Sequence, residues 1–172
     1  MVKKQTMAAI AGGACAVLVA VLLVPMLINM MTDDYEKTVD GNTSDLMPDL
    51  KSFPSGWSLS YTTKDTYQDG IKYSSYQYVG GSYRIEIKIY IHETVKEAWN
   101  RFQAVPNVDP ARYIEKFGTF ENEFAHNMGG GSQYFMQEMN VYVYIDFNLS
   151  LDPMDFKDVI TDIHNKVLAA AK

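Results

Sequence analysis

The sequence predicts an α+β domain on one antiparallel sheet of about six strands, in two strand-strand-strand-helix halves with helices over the sheet's apolar face, behind an N-terminal transmembrane helix. Three observations predict it. Tyr83 to Ile91 and Val141 to Leu151 alternate without a break, the period of half-buried antiparallel strands. Each is followed by a helix-start signal and an apolar stripe of helical period. Ahead of both, Met7 to Met31 runs for twenty-five residues without a charge, enough at about 1.5 Å per residue to cross a hydrocarbon core of about 30 Å.

Lys3 and Lys4 precede the apolar run, whereas Asp33, Asp34, Glu36, Asp40 and Asp45 follow it against Lys37 alone. The positive-inside bias places the N-terminus in the cytoplasm and the rest on the outer side of the cell membrane, as a single-pass protein. Asn29 to Thr32 has no small-x-small cleavage pattern, so the run reads as an uncleaved signal anchor. Cys15 reads as a small residue compatible with a span. A pilin-like surface subunit shares the short basic leader and long apolar helix, but the small residue before its cleavage point and the early acidic residue are missing.

The chain is thus expected as an anchor (1–31), an acidic tether (32–55) and an extracytoplasmic domain (56–172). All 21 acidic residues follow Thr32 with 13 of the 15 basic ones, a formal charge of −8 that argues against nucleic acid or anionic lipid as partner. No cysteine follows Cys15, so the core must hold the fold without disulfides. Thr32 to Ser55 carries Gly41, Pro48 and Pro54 and no sustained period, the pattern of an irregular spacer. Asp40 to Asp45 imitates the start of a calcium loop, but Asp45 occupies the place of the required glycine and Lys51 that of the bidentate glutamate. Asn42 and Asn148 each open a glycosylation sequon.

The elements follow in order. Trp57 to Thr63 and Ile71 to Val79 are strands joined by a turn at Gln68-Asp69-Gly70. In the third strand Tyr83, Ile85, Ile87, Ile89 and Ile91 point inward and Arg84, Glu86, Lys88 and Tyr90 outward. Thr94-Val95-Lys96-Glu97 is a capping box, opening a helix whose stripe is Val95, Ala98, Trp99, Phe102 and Val105 until Pro106. A short extra helix with Tyr113, Ile114 and Phe117 is expected between Asp109 and Gly118. Thr119 to Met128 and Ser132 to Glu138 are strands about Gly129-Gly130-Gly131. After Val141 to Leu151, Asp152 caps and Pro153 begins a last helix with stripe Phe156, Val159, Ile160, Ile163 and Val167.

Leu50 to Trp57, with its apolar-Pro-x-Gly-Trp lead into the first strand, and the order of elements resemble the PsbP/Mog1-like group of extracytoplasmic domains. That resemblance implies binding or assembly rather than catalysis, and it transfers no functional residue.

No catalytic spacing is present, and nothing calls for a cofactor. His92 and His126, with Met128 on the strand face of His126, are the candidate metal ligands, and a small metal-binding protein or enzyme built on them is the alternative function. No two histidines have ligand spacing in sequence. Gly129 to Gly131 does not lead from strand into helix, so it is no phosphate cradle. With helices over the apolar face, the other face is expected to stand open, presenting Tyr90, Tyr142 and Tyr144 among Arg84, Glu86, Lys88 and Asp146. Aromatics among charges suit a protein partner in the envelope.

Overall fold

The structure, a computed structural model, describes residues 37–105, 113–114, 122–127, 131–148 and 151–172. The chain divides into two units, Met1–Lys37 and Thr38–Lys172. The expected span Met7 to Met31 lies outside the described residues, as do Met128, Gly129 and Gly130. Among the described residues no helix is long and apolar enough to cross a membrane.

The second unit is α+β, with one antiparallel sheet. Six full strands, β1 (Ser58–Gln68), β2 (Ile71–Gly80), β3 (Tyr83–Ile91), β5 (Asn122–Asn127), β6 (Gly131–Glu138) and β7 (Val141–Asn148), are joined by a two-residue β4 (Tyr113–Ile114). Their order is β1-β2-β3-β7-β6-β5-β4, so the two strongly alternating strands meet at the centre. Among the described residues two α-helices complete it, α1 (Val95–Gln103) and α2 (Lys157–Ala170). The β1–β2 hairpin closes on Asp69-Gly70, both at positive φ (53° and 82°), the geometry that matches strand twist. Tyr113 and Ile114, expected in a helix, instead extend the sheet against His126 and Ala125. A two-residue edge strand carries too few residues to show a period of two.

The main core lies on the isoleucine face. Ile85, Ile87 and Ile89 of β3 and Val143, Ile145 and Phe147 of β7 pack under Val159, Ile160, Ile163 and Val167 of α2. Tyr76, Tyr78 and Tyr134 are also fully buried here. The Tyr134 hydroxyl donates to the buried Glu123 carboxylate, and burial together with that partner pushes the phenol's pKa up.

The expected tether is, from Thr38 onward, part of this core. Val39, Leu46 and Phe53 are buried in it, and two short 3-10 turns, Thr43–Leu46 and Leu50–Ser52, carry the chain across α2. Its lack of period reflects docking through single anchors rather than solvation. The Lys166 ammonium binds the Met47 carbonyl and Asp49, while Asp162 accepts from the Asp49 N–H at 2.7 Å and the Ser52 hydroxyl at 3.1 Å. The lead into β1 is a plug of rings. Phe53 stacks on Tyr78 at 4.1 Å, and Trp57 meets Phe156 edge-on at 5.2 Å. Trp57 lies so close over Gly80 that a Cβ there would sit 2.5 Å from the indole.

The calcium-like stretch is used internally. Lys72 Nζ donates to the Gly41 carbonyl and to Asn42 Oδ1, both at 2.8 Å, placing an ammonium where that motif would hold a cation. Thr43 and Ser44 donate their hydroxyls to Asp65, which stands at φ 45° in a bulged part of β1.

The helices do not share a face. α2 covers the isoleucines, but α1 covers the tyrosine side, where Phe102 and Val105 pack against Tyr90, Phe135 and Tyr142. The apolar stripe of α1 is the one the sequence predicts. A helix stripe does not say which side of a sheet it seeks, and the aromatic residues of β3, β6 and β7 supplied a second apolar surface.

Candidate functional site

The expected open tyrosine face is therefore half closed. Tyr90 and Tyr142 are 8% and 5% exposed, and the Arg101 guanidinium of α1 lies over both rings, 4.3 Å and 5.5 Å from their centroids. Burial pushes the Tyr142 phenol up to about 12. These two tyrosines belong to a second packed layer rather than to an exposed surface. Tyr144 stays half-buried beside them, and Arg84 is exposed at the start of β3.

The α1 side of this face is aromatic. Phe102 meets Phe124 at 5.4 Å, Phe124 stacks on Phe135 at 4.8 Å, and Phe135 meets Tyr144 at 5.2 Å. One register row away the face is polar. The strand pairings align Tyr61, Gln77, Glu86, Asp146, Gln133 and His126 in a single row across β1, β2, β3, β7, β6 and β5. We call this row the lane. It ends at Tyr61, which is 60% exposed.

The lane is internally braced at its centre. Lys88 Nζ pairs with Glu86 Oε1 at 3.2 Å, and the Ser75 hydroxyl donates to the same oxygen at 3.0 Å. Lys88 also lies over the Tyr144 ring, 5.7 Å from its centroid. The Tyr144 hydroxyl accepts from Gln133 Nε2 at 2.8 Å. Burial, then the negative charges of Asp146 and Glu86, push the Tyr144 phenol up, so it stays protonated. Glu86 and Asp146 stand directly opposite one another on neighbouring strands. Like charges so placed repel, and Lys88 offsets the charge on Glu86.

Of the expected site residues, the structure brings Lys88 and Tyr144 together and leaves Arg84 apart, four positions from Lys88 along β3. It does not bring His92 and His126 together. His126 shares a register row with Glu86, while His92 lies six residues further along and three strands across. At about 4.8 Å per strand and about 3.3 Å per residue they stand roughly 24 Å apart, too far for one metal to join them. No group of three metal-binding side chains occurs among the described residues. Each imidazole is nevertheless buried with Nε2 lacking a hydrogen-bond partner. Burial lowers the pKa of His92, and the nearby Arg101 lowers it further.

Asn42 is exposed, with its side-chain oxygen held by Lys72, and Asn148 is partly buried on the tyrosine face. The members of the lane that the sequence leaves unmarked are Tyr61, Gln77 and Gln133, while His126 is marked only as a metal candidate. Only the strand order, which sets β7 between β3 and β6, puts them in line with Glu86 and Asp146. No family model matches the chain, and no curated protein matches it.

Proposed function

We propose that the chain is a single-pass membrane protein whose Thr38–Lys172 unit lies outside the cytoplasm and acts as a binding or assembly module, with the lane as its contact surface. The observation that carries the binding part is the division of the tyrosine face. α1 seals the aromatic end, and the polar row from Tyr61 to Gln133 runs beyond it with an exposed aromatic at its edge and opposed carboxylates at its centre. A polar, partly wet strip beside buried aromatics is the composition of a recognition surface. The membrane part rests on the uncharged run Met7 to Met31 with its basic leading and acidic trailing flanks.

Protease treatment of intact cells tests the topology. A tag at the C-terminus is lost while a tag at the N-terminus stays protected; protection of both ends contradicts the reading.

A further inference from the structure

We propose that α1 is a flap latched by Arg101, which opens as a unit while the sheet and α2 stay folded and so uncovers Tyr90, Phe135 and Tyr142. The two helices are held in different ways. α2 buries Val159, Ile160, Ile163 and Val167 and is tied down by polar contacts along its length. Lys166 reaches the Met47 carbonyl and Asp49, Asp162 accepts from the Asp49 N–H and the Ser52 hydroxyl, and His164 pairs with Glu138 at 3.3 Å. α1 fully buries only Val95 and Ala98. Its capping box joins Thr94 to Glu97 within its own first turn, and among the described residues no side chain of α1 makes a hydrogen bond or ion pair to the sheet or to α2. Apolar contact by Phe102 and Val105 holds it to the tyrosine face, with the Arg101 guanidinium over Tyr90 and Tyr142. Arg101 is itself exposed, so this cation–π latch is a weak one. The main core does not depend on α1, because α2 with Val39, Leu46 and Phe53 closes the isoleucine face. A helix of nine residues does not persist away from its packing surface, so α1 opens by melting from Thr94 onward, a local step below global unfolding. The tyrosine face then has two states, one sealed by α1 and one in which its aromatic layer lies open beside the lane.

The test follows amide hydrogen exchange in the full-length chain in detergent, at increasing urea below the unfolding transition. Amides of α1 should exchange at least about 100-fold faster than those of α2, at a rate nearly independent of urea, because little surface is exposed in the local opening. Arg101→Ala should speed α1 about 3- to 5-fold and leave α2 and β3 unchanged. Fraying at the helix ends is separated from lifting by a thiol on the buried side. With Cys15→Ser to remove the native thiol, Ala98→Cys should be alkylated by N-ethylmaleimide at a rate that also shows little urea dependence and rises with Arg101→Ala. Exchange of α1 at the rate of α2, or alkylation at position 98 with the urea dependence of global unfolding, overturns the flap. An Arg101→Ala variant that speeds α2 equally, or that leaves α1 and position 98 unchanged, overturns the latch.

Discussion

The side-chain amide of Asn140 serves as a strand partner for Val39. Its Oδ1 accepts from the Val39 N–H at 2.7 Å and its Nδ2 donates to the Val39 carbonyl at 3.0 Å. The same Nδ2 donates to the His92 carbonyl at 2.8 Å, and the Asn140 carbonyl accepts from the His92 N–H at 2.9 Å. One residue of the β6–β7 turn thus ties the start of the unit to the end of β3. Val39 also bridges Ala171, which fastens the last helix to the same point.

Asn140→Ala should therefore destabilise the unit by about 3 kcal/mol, three lost hydrogen bonds at about 1 kcal/mol each in a buried site. Asn140→Asp should cost at least as much, because a carboxylate offers no donor to the two carbonyls and brings a charge. Urea unfolding followed by tryptophan fluorescence reads both. An Asp variant as stable as wild type would show that the amide does not hold this joint.

His92 gives the same joint a pH dependence. Its folded pKa lies below the unfolded value of about 6.5, so the fold favours the neutral ring and binds fewer protons than the unfolded chain. That contribution is present above about pH 6.5 and is lost as pH falls from there through the folded pKa. The charged groups involved are Arg101, which opposes protonation, and Glu97, which favours it. Unfolding free energy measured between pH 7.5 and 5 should fall more steeply for the wild type than for His92→Gln. Parallel slopes would remove His92 from the account.

Tyr142→Ser should destabilise by about 3 kcal/mol, as truncation of a buried aromatic does, and Arg101→Ala should weaken the seating of α1. Tyr144→Phe should change stability by less than about 1 kcal/mol, because it keeps the ring and gives up one hydrogen bond. Thermal midpoints separate these outcomes. Equal midpoints for Tyr142→Ser and wild type would return that tyrosine to an open surface.

Gly80→Ala should cost about 2 kcal/mol, since its Cβ would meet the Trp57 ring at 2.5 Å and that ring is also packed against Phe156 and Phe53. Near-ultraviolet circular dichroism should show the Trp57 band altered. An unchanged band and midpoint would mean that the lead-in segment is not packed as described.

Much of the sheet was legible because alternation reports a half-buried strand directly, as in Ile85 to Ile89 and Val143 to Phe147. The capping box at Thr94 was legible because it is local, and the structure shows both of its hydrogen bonds. What escaped was non-local. Val39, Leu46 and Phe53 are single apolar anchors in an acidic stretch, and only the underside of α2 makes them core. Tyr90 and Tyr142 alternate with charges and so look outward, yet α1 crosses to their side to join Phe124 and Phe135. Glu86 and Asp146 were visible as outward-facing acids. That they oppose each other, with Gln133 and His126 in line, follows from pairing register, which no single strand encodes.

The most direct test of the account places a benzoylphenylalanine at Tyr61, at the exposed end of the lane, and a second one at Lys96, on the outer side of α1, in the full-length chain within its own cells. Irradiation should give one discrete crosslinked species from position 61 and none from position 96. That species should be lost when Gln77 and Gln133 are both replaced by Arg with the fold intact by thermal midpoint. Equal crosslinking from both positions, or a species from position 61 that survives the two Arg substitutions, would contradict the lane as the contact surface.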